Sequence, residues 1–449
     1  MHRVIYLLNV NKNELSLVNV IMIALGGVIG AGIFVASGIP INIAGPGAVL
    51  AYIAGALVVI PIMLYTSEMA AAKPSSGGFS VYAHEYLGPM MGFVTGWMYW
   101  SSGILSMATE VTAAALVTHW WFPSWPLWIF SLIYSLLITI LNFMDIRGFS
   151  KVEGLLAQIK VIALLLFIVL GLLFIKGWWP GVLATGTVNY FQWGGFLPGG
   201  WIGVYSSMLL VIFSYAGMAV IGMISTQVRN PGKTLWRAVM ASGLTAMILY
   251  AGTILVITGI MPWQTVPTDS SPVVAVLQKL GVTFAGSLLN AIVLIAVLSC
   301  MNTSMFGVSR MLQSLAARNE APHFLLKIDN KGRSIPAITI TSSFLGLAIL
   351  LAYVLPHKVF IYVASASGFI ALFNWTITTL TYLRFKRHSP KIKQPFVLWG
   401  YPFLPYLSLF LLFLTVASIP LVTQQLPSMI TGIVLVFLYS GIYMVFIKK

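Results

Sequence analysis

Two ionisable residues, Glu110 and Lys160, lie inside long apolar stretches of the sequence, where a charge needs an explanation. A charged side chain at the centre of a bilayer costs about 2.5–3.5 kcal/mol on insertion scales. Acidic residues at such depth are proton-relay candidates, and a desolvated lysine can release and take up a proton. Both residues are therefore candidate proton-coupling groups.

Each of these residues also has a structural explanation. Lys160 stands a few residues into its stretch, so its flexible chain could extend back to the polar surface. Glu110 could be a neutral acid or hydrogen-bond to a neighbouring helix. Counting along the stretches puts the two residues at different depths, so no pairing between them is predicted. Glu68 and Glu153 lie near the predicted ends of spans and are expected to pair with a local Arg or Lys.

The composition identifies the solvent of these stretches as lipid. Of 449 residues, 59% are hydrophobic and 7% are charged, and the mean hydropathy is +0.96, which excludes a soluble domain. The apolar runs reach the roughly 18 residues needed to cross a bilayer. They predict an all-α polytopic protein with about twelve transmembrane helices, at 16–44, 46–71, 90–118, 125–144, 154–175, 200–225, 237–261, 284–312, 336–355, 359–383, 402–423 and 427–447.

The net charge of +15 is explained by the orientation of the chain in the membrane rather than by a nucleic-acid partner. With these spans, twenty of the 24 basic residues fall in segments on one side, and only Lys176, Lys279 and Lys358 fall on the other. Basic residues accumulate on the cytoplasmic side of membrane proteins. The pattern predicts a multi-pass protein of the cell (inner) membrane with both termini in the cytoplasm.

Two spans carry signals for a broken helix. The first contains GGVIGAG at residues 26–32, and the sixth contains FSYAG at residues 213–217. Glycine destabilises helices, and unpaired backbone in a membrane is tolerated only where it faces protein or a wet cavity. Close helix packing by small residues is the alternative explanation. Breaks at matching positions of two five-helix halves indicate the binding site of a transporter.

At these residues the sequence resembles the amino acid–polyamine–organocation (APC) superfamily, in particular its bacterial amino acid permeases. The resemblance is carried by GGVIGAGIFVASG (26–38), EMAAAKPSSGGFSVYAHEYLGPMMGFVTGW (68–97), FSYAGM with QVRNPGKTLWRA (213–238) and SRMLQSLAARNEAPHFLLKIDNKGRSIPA (309–337). It implies one permease domain over residues 1–449 with the leucine-transporter-like fold. Two inverted five-helix repeats (16–175 and 200–383) would be followed by two peripheral helices (402–447).

The resemblance also implies a substrate-binding site at the two breaks. Free amides at the start of a half-helix attract a carboxylate, and the amides of Ala31 and Gly32 would bind that of an amino acid. Gly30 would permit the bend. On the ammonium side, the expected acceptors are the free carbonyls of Val28, Phe213 and Ala216.

The rest of the sixth-span break and Lys160 are assigned in the same way. Ser214 lies within the break, and Phe213 or Tyr215 could cap the pocket as an aromatic gate or simply pack in the bundle. By the resemblance, Lys160 stands where sodium-coupled relatives bind a cation, so its charge would replace sodium. Gln227 stands where relatives usually carry glutamate, which would weaken an ion pair at the inner gate.

The predicted function is secondary active transport of amino acids. Neutral amino acids are the predicted substrates, because no fixed acid lies near the break in the sixth span. Proton-coupled uptake is favoured, with exchange or a nutrient receptor as alternatives. The histidines fall at loops and span ends, and no HExxH, GxSxG or CxxC motif is present, which argues against an enzyme. The expected partners are an amino acid, protons and the bilayer, with no cofactor, metal or nucleic acid.

Overall fold

Helices form all the regular secondary structure that is described. The structure, a computed structural model of the chain, describes residues 15–144, 146–178, 185–281, 283–329, 333–354, 359–388 and 396–448. Within these ranges the one β-type contact joins Leu15 to Val228. The prediction of an all-helical chain is therefore confirmed for the described residues.

The α-helices follow one another with short connections. Those of the first part of the chain are α1 (Leu17–Val28), α2 (Ala31–Phe34), α3 (Gly38–Ala44), α4 (Ala48–Ala72), α5 (Gly78–Leu87), α6 (Pro89–His119), α7 (Leu127–Leu141), α8 (Ile146–Ile175) and α9 (Val188–Phe191). Those of the second part are α10 (Gly200–Tyr215), α11 (Val220–Met223), α12 (Pro231–Ile260), α13 (Pro272–Lys279), α14 (Thr283–Ala317), α15 (Ile335–Val354), α16 (Val359–His388), α17 (Phe403–Ser418) and α18 (Leu426–Ile442).

Eight helical stretches of the described chain are long and apolar enough to cross a membrane. They are Gly38–Ala72, Gly148–Ile175, Gly200–Met223, Pro231–Ile260, Gly286–Ala317, Phe360–His388, Phe403–Leu421 and Leu426–Ile447. The protein is thus a polytopic membrane protein. Every one of the twelve predicted segments contains a helix, but some of these helices are short or interrupted, so the count of twelve crossings stays a prediction.

Part of the topology prediction falls on residues that the structure does not describe. These are Arg3, Lys12, Lys331, Lys358, Lys391, Lys393 and Lys449. Several described basic groups share one end of the bundle, which we call the basic end. It contains Lys73, Arg229, Arg318 and Lys386. The segments that carry these residues meet there through three hydrogen bonds, from the Ser225 hydroxyl to the Ser75 carbonyl, from Arg318 to the Ser80 hydroxyl and from Lys386 to Glu68.

The first predicted span is interrupted where its glycines cluster. Helix α1 starts at a capping box, in which the Ser16 hydroxyl accepts from the amide of Asn19 at 3.3 Å. It continues through Gly26 and Gly27 and ends at Val28. Ile29 is extended (φ −81°, ψ 93°), and the chain turns at Gly30 before α2 begins. The break is therefore two residues long and lies in the second half of the glycine-rich run.

The sixth predicted span tightens where the sequence predicted a break. After α10, residues Ala216–Ala219 form a 3₁₀ turn, and α11 continues the segment. This turn crosses α1 closely, because a side chain at Gly217 would collide with the carbonyl of Gly27. Gly27 and Gly217 thus allow the two segments to pack closely, which was the alternative explanation for the glycines. Of the two segments, the helix is interrupted in the first.

Helix α1 lies at the centre of the packing around this crossing. It contacts α8, α12 and α14 as well as the 3₁₀ turn. Helix α6 packs against α14 and α16, and α10 against α3, α4 and α16. Helix α18 lies at the periphery, and Phe437 on it is 72% exposed, as expected of a lipid-facing residue. The interrupted helix is therefore enclosed by protein, the setting in which unpaired backbone is tolerated.

Candidate functional site

A small polar cavity lies beside the crossing of α1 with the 3₁₀ turn. Its volume is about 40 Å³, enough for roughly one water molecule. Hydroxyl groups from α6, α14 and α16 surround it, and no charged side chain lines it within the described chain. The lining residues are Tyr99, Ser102, Gly103, Ser106, Ala216, Gly217, Val220, Thr303, Ser304, Val308 and Ser367.

None of these hydroxyl-bearing residues was named by the sequence analysis. Ser102, Ser106 and Glu110 are spaced four residues apart on α6 and therefore share one face of that helix. This four-residue spacing from Glu110 could have identified the two serines from the sequence. The Thr303 hydroxyl is buried and has no hydrogen-bond partner in the described parts of the chain. Its side chain also interacts with the buried Glu153 carboxylate.

Glu110 occupies the amide that was predicted to bind a substrate carboxylate. Its side chain is 2% exposed, and its Oε2 accepts a hydrogen bond from the amide of Ala31 at 2.9 Å. Ala31 is the first residue of α2, where amides have no partner inside the helix. Glu110 and Cys300 flank Gly30, whose missing side chain makes room for both. The acid is thus hydrogen-bonded to a neighbouring helix, as one of its two explanations proposed.

Gly32, the second predicted carboxylate ligand, is in tight contact with α10. A Cβ atom at Gly32 would lie 2.5 Å from the Ser214 Oγ and 2.7 Å from its Cα. Because one of these atoms belongs to the backbone, the contact cannot be relieved by turning a side chain. Gly32 therefore joins the two segments, and a bulky substitution there would disturb packing as well as any binding.

Two of the three carbonyl groups predicted to bind an ammonium, those of Val28 and Phe213, have protein donors in this structure. The Tyr250 hydroxyl lies 2.7 Å from the Val28 carbonyl oxygen and 3.2 Å from that of Ser214. The Phe213 carbonyl accepts from the amide of Ala216. One hydroxyl of α12 therefore bridges the end of α1 and the end of α10, and no ligand is needed to satisfy the Val28 carbonyl.

The two candidate gate residues point into different surroundings. Tyr215 is fully buried, and its hydroxyl donates to the Tyr52 carbonyl at 2.9 Å, in contact with Tyr250 and away from the cavity lining. Phe213 packs with Ile39 and Leu210, which line a separate cavity of about 500 Å³ at the end opposite the basic end. Of the two aromatics, Phe213 is the one that packs beside a cavity.

Lys160 is fully buried, which excludes an extension of its side chain to the membrane surface. Its Nζ donates to the Gly26 carbonyl at 2.6 Å and to the Ser299 hydroxyl at 2.8 Å. The charge of the lysine is thus held against the last turns of α1. The structure places it one helix turn from the break.

The acid nearest to Lys160 is Glu153, not Glu110. Glu153 was expected to pair with a local Arg or Lys, and this is confirmed by the 4.0 Å distance from its Oε1 to Lys160 Nζ. Its expected place near the end of a span is wrong, because the residue is fully buried. Helix α8 begins eight residues before the predicted span, so Glu153 lies two turns inside it. The parallel expectation for Glu68 is confirmed, since its Oε1 lies 2.7 Å from Lys386 Nζ.

Gln227 keeps a contact to a cation although it lacks a charge. In the orientation that satisfies both groups, its amide oxygen accepts from both terminal nitrogens of Arg310 at 2.8 Å. Nearby, the Leu15 amide donates to the Gln227 carbonyl, and the Arg229 amide donates to that of Leu15. A neutral residue thus closes the basic end through a bidentate hydrogen bond rather than an ion pair.

The fold and site define a membrane protein with an interrupted helix at a buried polar cavity, the arrangement of a transporter. The sequence matches the family described as Amino acid permease over residues 19–448. The chain belongs to this amino acid permease family. The resemblance to the APC superfamily is thereby confirmed, and the family consists of transporters rather than enzymes.

Three relatives illustrate the match. The γ-aminobutyric acid permease of Bacillus subtilis (strain 168) is 36% identical over 446 residues, covering 98% of this chain and 94% of the relative. A probable threonine/serine transporter, YbxG, from the same organism is 32% identical, covering 97% and 95%. The γ-aminobutyric acid permease of Escherichia coli (strain K12) is 33% identical, covering 92% and 90%.

Proposed function

We propose that this chain is a proton-coupled transporter that takes up neutral amino acids by alternating access. In this proposal twelve spans form two inverted repeats of five plus two peripheral helices. The basic end is the cytoplasmic end, in keeping with the distribution of basic residues. The cell membrane is its location, and both termini are cytoplasmic.

The observation that carries the proposal is the hydrogen bond from the Ala31 amide to Glu110. A carboxylate already occupies the amide that a substrate carboxylate would use. Protonation of Glu110 weakens its hold on an amide donor, because the charged form is the stronger acceptor. Proton uptake would therefore free this amide for the substrate, and the two events would be linked.

The ammonium group of a substrate would bind on the other side of the break. The Val28 and Ser214 carbonyls are 2.7 and 3.2 Å from the Tyr250 hydroxyl, so a modest movement of α12 would expose them. Gly30, Gly32 and Ala216 would shape the backbone around the ligand. Two opposite charges of one zwitterion would thus find an amide and carbonyl groups within the same break.

The cavity lining supports a substrate without net charge. Its described residues are hydroxyl-bearing or apolar, and hydroxyl groups such as those of Ser102 and Ser367 suit a small polar side chain. The relatives are named for γ-aminobutyric acid and for threonine and serine, which are all zwitterions at neutral pH. Ser102 and Ser106 would contact the part of the substrate that lies beyond the break.

The cavity must expand for transport, since about 40 Å³ cannot hold an amino acid. Phe213 with Ile39 closes it towards the larger cavity. The Gln227–Arg310 contact and the pairing of Leu15 with Val228 close the basic end. Opening one closure at a time would give alternating access, with Lys160 replacing a sodium ion.

Uptake into proteoliposomes tests this proposal. Purified protein in empty vesicles, in sodium-free buffer with acid outside, is expected to accumulate labelled L-threonine or γ-aminobutyric acid. Glu110→Gln should abolish the stimulation by acid, while Glu85→Gln, which removes a half-exposed surface partner of Lys73, should keep it. Uptake only into vesicles preloaded with amino acid would identify an exchanger. Binding without uptake or exchange would identify a receptor, and a strict sodium requirement would contradict the coupling.

A further inference from the structure

Glu153 is a second buried acid that the proposed function does not use. Its Oε1 accepts a hydrogen bond from the Ser299 hydroxyl, and its Oε2 accepts from Asn302 Nδ2 at 3.2 Å. Asn302 is held in turn by Asn142, the residue that follows α7, whose Nδ2 donates to the Asn302 Oδ1 at 2.8 Å. Both oxygens of the acid thus face donors, the arrangement that stabilises a carboxylate.

Ser299 connects this carboxylate to Lys160. Its Oγ accepts from Lys160 Nζ at 2.8 Å and donates to Glu153, whereas the direct distance from Nζ to Oε1 is 4.0 Å. The three groups therefore form a continuous hydrogen-bonded chain, amine to hydroxyl to carboxylate. A hydroxyl in this position can receive one proton and pass on another.

Helix α1 is fitted to this chain of groups at Gly26. The Gly26 carbonyl accepts from Lys160 Nζ, and a side chain at Gly26 would occupy the space of the Glu153 carboxylate. Both charges of the pair therefore touch the same residue, one turn before the break at Ile29 and Gly30. A change in the charge of either group would therefore act directly on the interrupted helix.

The other ionisable groups around the pair are few. Lys160 interacts electrostatically with Glu153, Cys300 and Glu110. Cys300 of α14 donates to the Gly27 carbonyl at 2.9 Å, and Tyr250 of α12 donates to that of Val28. Arg310, farther along α14, is bonded to Gln227 at the basic end. Glu153 is therefore the carboxylate that directly balances the lysine.

We propose that Glu153 is a proton-holding partner of Lys160 and that Ser299 carries the proton between them. This inference rests on the proposed function and names a further group of the same coupling system. In the step, the ammonium gives a proton to Ser299 Oγ, and the hydroxyl proton of Ser299 passes to Glu153 Oε1. A neutral amine and a neutral acid replace the ion pair, with no change in total charge.

The proton transfer weakens the contact between Lys160 and α1. A neutral amine donates a weaker hydrogen bond to the Gly26 carbonyl than an ammonium does. A neutral pair also costs less to move within a low-dielectric interior than two charges do. The inner part of α1 could then shift against α8, the movement that alternating access demands.

The test compares Glu153→Gln with Glu68→Gln in the same proteoliposomes. Both acids are fully buried and paired with a lysine, so the second variant is a matched control. Labelled L-threonine or γ-aminobutyric acid, whichever the wild type accumulates, is the probe. Glu153→Gln should lower acid-driven accumulation by about tenfold or more and flatten its pH profile, because a buried partner is lost. It should retain exchange of internal for external amino acid, and Glu68→Gln should keep the wild-type pH profile per folded molecule.

A wild-type pH profile in Glu153→Gln would overturn the proposal. Should that variant fail to fold, the double variant Glu153→Gln with Lys160→Met removes both charges and is expected to restore folding, while acid-driven accumulation stays lost. Failure of this double variant to fold as well would also count against a charge pair. If the wild type neither accumulates nor exchanges either probe, the proposed function fails instead, independently of Glu153.

Discussion

Two buried pairs of glutamate and lysine occur in the part of the chain that the structure describes, and they are built differently. At the basic end, Glu68 and Lys386 are in direct contact at 2.7 Å, and the Tyr382 hydroxyl and the Leu398 amide also donate to the carboxylate. Beside the interrupted helix, Glu153 and Lys160 are 4.0 Å apart and share a serine. Lys386 remains 12% exposed, whereas Lys160 is wholly enclosed.

The difference separates a structural contact from one that can change. Glu68 has three donors from α16 and the segment after it, so it fastens the end of α4 to these elements. Glu153 and Lys160 belong to the same helix, and their second partners lie on α1 and α14. A pair of this kind joins no two elements by itself. It instead places its charges against the helix that must move.

Removal of each lysine should show the largest contrast. Lys160→Ala leaves a buried carboxylate and the Gly26 carbonyl without their cation, and breaking a buried pair costs about 3–5 kcal/mol. We expect uptake to be lost almost completely. Lys386→Ala should lower thermal stability but keep uptake per folded molecule near the wild-type value, because Glu68 retains two donors. Equal losses of transport in the two variants would remove the distinction between the pairs.

Addition of one methyl group beside Glu153 should have a smaller effect. In Gly26→Ala the new methyl takes the place of the Glu153 carboxylate, and overpacking costs about 1–3 kcal/mol. Uptake should fall by roughly tenfold while the protein still reaches the membrane. The control is Gly154→Ala on α8, where a Cβ meets no atom within 4 Å. Normal transport by Gly26→Ala would show that α1 is not fitted to the acid.

Loss of the bridging hydroxyl should have the smallest effect of the three. Ser299→Ala removes one donor to Glu153, at a cost of about 1–3 kcal/mol. Acid-driven accumulation should decrease severalfold, whereas exchange in preloaded vesicles should remain. Ser408→Ala removes a comparable buried hydroxyl bonded to Tyr65, whose ring stacks on Tyr382 near the other pair. It should change neither assay, and a proton-driven rate unaffected by Ser299→Ala would exclude the serine as a carrier.

Much of the architecture could be predicted because hydropathy and glycine act locally. The long apolar runs predicted helices in all twelve segments, and the glycine cluster predicted the interruption near Gly30. The backbone of the sixth span was harder to predict, because the sequence FSYAG is compatible with a 3₁₀ turn as well as with a break. Only the packing of Gly217 on Gly27 decides between close approach and unwinding.

Glu110, Ala31 and Lys160 were singled out from the sequence, but neither their contacts nor the hydroxyl groups of the cavity were predicted. Glu110 and Ala31 are 79 positions apart, and Lys160 and Ser299 are 139 positions apart. Depth along a helix can be counted from the sequence, but the direction in which a residue faces depends on where neighbouring helices lie. For this reason Ala31 was expected to await a ligand, and the structure gives it Glu110.

The sequence by itself determined the membrane setting, the family and the interrupted first span, because composition and glycine spacing act through lipid burial and backbone freedom. Tertiary structure decided which charges meet. The predicted span began at Gly154 and placed Glu153 at its margin, but α8 starts at Ile146 and carries Glu153 into the interior. There a carboxylate must have a cation and hydrogen-bond donors, and α1, α8 and α14 supply them only when packed together.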